Sequence, residues 1–266
     1  MPAAPARAGN LVRKIAHRLA FAVFAYPLIA AVHAPAVSAE TLVGITFGGD
    51  AGVIGAPGSF GATGASFSNS LARDPLGRFV TTSDDAGGTH LVLVDPFAHT
   101  VTALGPSAIT LGVPASILGL AFDASGTLYA LNDGGAGKPD TLWTLTLSGV
   151  GTALGATGFG DLSDLAIAAD GTIYAWSIAD GLVKRNGGGT FARVDPAMSA
   201  AGSILGLTFG NDGKTLYGAD SDLYIVDTGT GALTLVGATP NLRGIAPVAA
   251  AAVAEPESVT LLTLAL

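Results

Sequence analysis

The sequence predicts an all-β fold, a β-propeller of four-stranded blades. Three observations carry the prediction. A strand, turn, strand unit recurs at a regular interval, a second pair of strands follows each copy, and no window of the repeat has the three-to-four-residue apolar spacing of a helix.

The plainest copy is GLAFDASGTLYAL, residues 119–131: an apolar run, a polar turn ending in glycine, and a second apolar run. LAFDASGTLYAL (120–131) aligns with LAIAADGTIYAW (165–176), with LTFGNDGKTLYGA (207–219), which has one extra residue, and more loosely with LARDPLGRFVTT (71–82). The turn glycines are therefore Gly77, Gly126, Gly171 and Gly213, at intervals of 49, 45 and 42 residues. Such intervals match propeller blades and exceed most solenoid rungs. Each copy is followed by a second hairpin: HLVLVDPFAHTVTALG (90–105), TLWTLTLSGVGTALG (141–155), GLVKRNGGGTFARV (181–194) and DLYIVDTGTGALTLVG (222–237). Asp-Pro, Ser-Gly, Asn-Gly and Thr-Gly supply their turns, because proline presets one turn dihedral and glycine admits positive φ.

Residues 1–39 contain four basic residues, Arg7, Arg13, Lys14 and Arg18, and no acid. An apolar run from Leu19 to Val32, interrupted by Pro27, leads to Val37-Ser38-Ala39. A basic start, an apolar run and a small-x-small site make a secretory signal peptide, with cleavage between Ala39 and Glu40. The run is shorter than the ~20 residues that span a bilayer, so membrane contact is transient. Of the 12 basic residues in the chain, eight remain after Ala39 against 20 acids, a formal charge of −12. That balance disfavours nucleic acid, whose binding relies on lysine and arginine. The chain has no cysteine, which removes thiol chemistry, and an exported domain of this length can bury enough apolar surface to do without disulfides.

Residues 40–252 are read as one repeat domain. ETLVGITFGGD (40–50) looks like a glycine-led first strand, Gly44-Ile45-Thr46-Phe47 resembling Gly206-Leu207-Thr208-Phe209, and LRGIAPV (242–248) begins another copy and stops. Two incomplete units at opposite ends are expected to complete one blade between them, which hides the sheet edges of the ring. The expected propeller thus has five blades, four continuous and one composite; rings of four or six are the alternatives.

No motif of established chemistry is present: no G-x-S-x-G elbow, no phosphate loop, no H-E-x-x-H. After Ala39 the histidines are His90 and His99, which flank one hairpin strand and lack a third metal ligand. Asp220-Ser221-Asp222, Asp161 with Asp164, Asp84-Asp85 and Asn132-Asp133 offer oxygens to calcium, but none follows an EF-hand spacing and turn formation explains them as well. Tyr129, Tyr174, Tyr217, Trp143 and Trp176 occupy strand positions where aromatics pack between blades, with a sugar-stacking platform as the alternative. Asp164 stands where other copies have glycine (Gly119, Gly206), at a place that should face the central channel. No catalytic residue is assigned; Asp164 is the best channel candidate, although a lone channel aspartate is more often solvated than catalytic, and glycoside hydrolysis would require a second carboxylate about 5 to 9.5 Å away.

VAEPESVTLLTLAL (253–266) resembles the start of a PEP-CTERM sorting signal. Glu255 and Pro256 match the core of the motif, Ala254 stands in place of its first proline, and Val259 to Leu266 match the opening of its apolar helix. The arginine cluster of such signals has no counterpart, so the copy is truncated or degenerate. The resemblance implies an exosortase-type partner in a Gram-negative bacterium that makes exopolysaccharide, and a place at the cell surface or in the extracellular matrix. The body resembles secreted propellers of the NHL and YVTN-like kind. These resemblances favour a non-enzymatic module that meets an exopolysaccharide or a surface protein. The alternatives are a secreted propeller enzyme of the lyase, lactonase or glycosidase type, with carboxylates at the channel, and a purely structural matrix component.

Overall fold

The computed structural model describes residues 40–187, 189–197 and 203–249. The leader with Ala39, and the sorting-like stretch with Glu255 and Pro256, lie outside the described residues. The described residues form 20 strands and no helix, in five four-stranded antiparallel sheets.

The first complete blade holds β4 (Ala72–Arg73), β5 (Phe79–Asp85), β6 (Gly88–Asp95) and β7 (Thr100–Ala103). The next holds β8 (Ile117–Phe122), β9 (Leu128–Asn132), β10 (Thr141–Leu145) and β11 (Gly151–Ala156). A third is β12 (Leu162–Ile167), β13 (Ile173–Ser177), β14 (Gly181–Arg185) and β15 (Phe191–Arg193), and a fourth is β16 (Gly206–Phe209), β17 (Leu216–Ala219), β18 (Asp222–Val226) and β19 (Leu233–Ala238). The fifth blade is composite: β20 (Leu242–Pro247) pairs with β1 (Leu42–Thr46), followed by β2 (Asp50–Val53) and β3 (Gly61–Ala62). The first strands β4, β8, β12, β16 and β20 each touch the next, and β20 returns to β4, so the ring closes around an axis. Closure seals what would otherwise be two reactive sheet edges.

The composite blade agrees with the sequence, but the place of β1 in it differs from expectation. Residues 42–46 form the second strand and β20 the first, so Gly44 does not belong to the set of channel glycines. Gly44 is small for another reason: a Cβ there would lie 2.8 Å from a methyl carbon of Leu242 on β20. Two different packing demands produce the same Gly-led pattern.

The repeat turns obey one geometry. Gly77, Gly126, Gly171 and Gly213 all have positive φ, from 63° to 87°. In each hairpin the amide of that glycine bonds back to the residue that opens the turn: Asp74, Asp123, Ala168 or Gly210. Aspartate side chains hold the same turns, Asp123 Oδ1 accepting from the amides of Ser125 and Thr127, and Asp212 Oδ1 from those of Lys214 and Thr215.

Because successive residues of a strand face opposite sides, each first strand serves both neighbouring blades. Leu120 packs toward the preceding blade and Ala121 toward the following one. The described core is accordingly five clusters, one at each junction between blades. Trp143 and Trp176 lie in two of these clusters, and Tyr174 packs edge-on against Phe209 of the next blade at 5.7 Å.

Candidate functional site

Five residues meet at the narrowest level of the axis: Ser70, Gly119, Asp164, Gly206 and Gly244, each preceding the aliphatic residue of its first strand. The strands approach too closely for ordinary side chains. A Cβ on Gly244 would sit 2.2 Å from the amide nitrogen of Leu71, and one on Gly119 would sit 2.5 Å from Asp164 Oδ1. Only glycine, one serine and one aspartate occupy this ring.

The inner edge of each first strand points amides into the channel, where no neighbouring strand can pair them. Asp164 and Ser70 satisfy three. Asp164 Oδ2 accepts from the Leu207 amide at 2.8 Å and Oδ1 from the Leu165 amide at 2.9 Å. Ser70 Oγ accepts from the Leu120 amide at 2.8 Å and donates to Asp164 Oδ1 at 3.0 Å. Burial pushes the Asp164 carboxyl well above the usual carboxylate range, while the bonds from Leu207, Leu165 and Ser70 pull it partly back.

Asp164 thus lies on the channel axis. It is fully buried and both oxygens are engaged, so it joins strands from different blades. The two residues before Leu165 bulge, since Leu162 pairs with Ser177 and Leu165 with Ala175. The bulge re-aims Asp164 toward the axis.

On the side where the first strands end, the channel widens into a cavity of about 120 Å³ lined by Arg73, Phe122, Ile167, Phe209 and Pro247. Its mouth adds Asp74, Asp123 and Asn211. Both acids are occupied: Asp74 pairs with Arg78 at 2.7 Å, and Asp123 holds its turn.

The opposite face carries two exposed aromatics that touch each other. Phe47, in the β1–β2 turn, is 41% exposed and Phe67, in the segment leading to β4, is 54% exposed. Their rings meet edge to face, centroids 5.2 Å apart at 71°, and the Arg243 guanidinium lies over Phe47 at 5.3 Å. Phe67 has φ of 53°, an unfavourable backbone for a bulky side chain. The surrounding segment fixes it, for the Ser68 amide bonds to Phe47 O and the Ser66 amide to Ser83 Oγ. Arg243 is an extra residue in its ladder, between Leu242 paired with Thr46 and Gly244 paired with Ile45. The bulge turns it toward Phe47.

Acids surround this face. Asp140 accepts from the amides of Gly134 and Leu162, and Asp161 from Ser177 Oγ and the Ala179 amide. Burial raises the Asp140 pKa, the two amides oppose that shift, and the charges of Asp133 and Asp161 add to it. Asp85 meets His90 at 3.1 Å; His99 lies in the β6–β7 turn with its ring against Gly61. Among the described residues no three histidines or acids gather as a metal-binding group. The aspartates weighed for calcium are mostly engaged by nearby amides and hydroxyls.

Phe47, Phe67 and Arg243 are not among the site residues expected from the sequence. Their signal there is slight: an aromatic before Gly48-Gly49, and another alone in a serine-rich run.

No family model matches this chain, and no curated protein matches it. Solved structures do. One chain of a nidogen/laminin complex is 13% identical, with a TM-score of 0.52, over 79% of this chain and 98% of its own length. A gluconolactonase from Xanthomonas campestris is 17% identical, with a TM-score of 0.51, over 76% of this chain and 73% of its own. At these identities the likeness concerns the fold alone, a β-propeller.

Proposed function

We propose that this chain is an exported, non-enzymatic propeller that works as an interaction module at the cell surface or in the extracellular matrix, delivered there by an exosortase-type system. Its ligand is a neutral, hydroxyl-rich glycan held at the Phe47 and Phe67 corner. The observation that carries this reading is the exposed pair itself, two rings fixed at a steep angle and backed by Arg243. Aromatic surfaces of this kind stack on the apolar faces of sugar rings. The chain's excess of acids opposes a polyanionic ligand.

Titration with neutral oligosaccharides, beginning with cellopentaose and laminaripentaose, tests the assignment. Phe47→Ala and Phe67→Ala are each expected to weaken binding about tenfold, a loss of about 1.4 kcal/mol, without changing the melting temperature by more than a few degrees. Equal binding by folded variants and the parent protein, or no saccharide binding by the parent, would overturn it.

A further inference from the structure

The channel cavity on the far side of the Ser70 and Asp164 ring contains an uncommitted cation. Among the described residues, Arg73 is the one charged side chain that lines the inner cavity of about 120 Å³. The other four first strands present Phe122, Ile167, Phe209 and Pro247 at the same level. Arg73 Nε is buried with no hydrogen-bond partner among the described residues. No described carboxylate forms an ion pair with the guanidinium. Its bond from Nη1 to Asn211 Oδ1 is long at 3.4 Å. Asn211 is meanwhile fixed by donating Nδ2 to Glu40 and to the Val248 carbonyl. The acids that line the mouth, Asp74 and Asp123, are already committed, as is Glu40, which accepts from Asn211.

The backbone adds donors. Amides of Leu120, Leu165 and Leu207 bond into the channel. By the alternation of a strand, the amides of Phe122, Ile167 and Phe209, two residues on, face the same way. A guanidinium with free donors, channel-facing amides and an apolar wall form a concave site with few polar groups at defined places. Arginine's fork matches a planar carboxylate.

We propose that this cavity binds a small organic carboxylate, whose oxygens pair with Arg73 and whose hydrocarbon body lies against Phe122, Ile167 and Phe209. The site is separated from the Phe47 and Phe67 face by the closed ring, and it stands whether or not that face binds a glycan.

Butyrate and its neutral isostere butyramide are the probes, titrated into the protein and followed by amide chemical shifts. Saturable butyrate binding is expected, at least about tenfold tighter than butyramide, with shifts confined to the channel strands. Arg73→Met should abolish it, whereas Arg185→Met, on an outer strand, should leave it unchanged. The proposal is overturned if butyrate does not saturate, if butyramide binds equally well, or if folded Arg73→Met binds butyrate like the parent. Should Arg73→Met fail to fold, the comparison of the two probes on the parent protein decides.

Discussion

Ser70 donates a hydrogen bond to Asp164 Oδ1 at 3.0 Å, although 94 residues separate them in sequence and Ser70 leads into β4 of one blade while Asp164 lies in β12 of another. Through this contact and the amides of Leu120, Leu165 and Leu207, four blades are tied at the axis. Removing the carboxylate strands buried donors, each of which costs about 1–3 kcal/mol. Asp164→Ala should therefore lose about 3–5 kcal/mol in chemical denaturation, and Ser70→Ala about 1–3 kcal/mol. The double variant should lose less than the sum, since both act on one network.

The pH dependence of stability separates this aspartate from those in the turns. The folded pKa of Asp164 is raised, so its contribution is fully present below the unfolded value near 3.8 and is lost as pH rises through the folded value. Asp212 and Asp227 have lowered values, held down first by the hydroxyls of Thr215 and Thr230; their contributions are present above 3.8 and are lost as pH falls through the folded values. Asp164→Asn should remove the decline that accompanies rising pH above 3.8 and leave the acid-side loss intact. Urea midpoints from pH 3 to 9 check this; an unchanged decline with rising pH in Asp164→Asn contradicts it.

Two glycine substitutions distinguish crowding from backbone strain. Gly171 has φ of 84°, and a methyl added there would meet nothing within 4 Å, so Gly171→Ala should cost about 1–2 kcal/mol from strain alone. At Gly244 a methyl would meet the amide of Leu71 at 2.2 Å. Gly244→Ala must push two first strands apart, and its loss in thermal melting should exceed that of Gly171→Ala by at least about 1 kcal/mol.

Ring closure rests on β20. A chain ending after Thr239 would leave β1 with an unpaired edge and would expose Leu42 and Ile45. Such a chain is expected to aggregate on refolding, measured by light scattering; a monomeric, cooperatively melting product would refute the closure.

Much of the fold was legible because it is local. A turn that needs positive φ demands glycine, so Gly77, Gly126, Gly171 and Gly213 mark the first hairpin of each continuous blade and fix the blade interval. The channel level of Asp164 was legible for a related reason, since it replaces a glycine of the same register. Its enclosure was not, because Ser70 precedes the copy that aligns most loosely and the Asp164 bulge leaves no mark in composition. Gly44 misled the strand order of the composite blade by imitating a channel glycine while making room for Leu242. The Phe47, Phe67 and Arg243 corner depends on a ladder bulge and on one residue at positive φ, both set by contacts between distant segments.

The proposal of a structural channel centre in a non-enzymatic glycan binder has one most direct test. The tightest-binding oligosaccharide is incubated with the parent protein and with Asp164→Asn, and chain length is followed by mass spectrometry. The expected result is retention of the intact oligosaccharide by both proteins with no new products. Cleavage by the parent that disappears in folded Asp164→Asn would contradict the structural role and make Asp164 part of an active site.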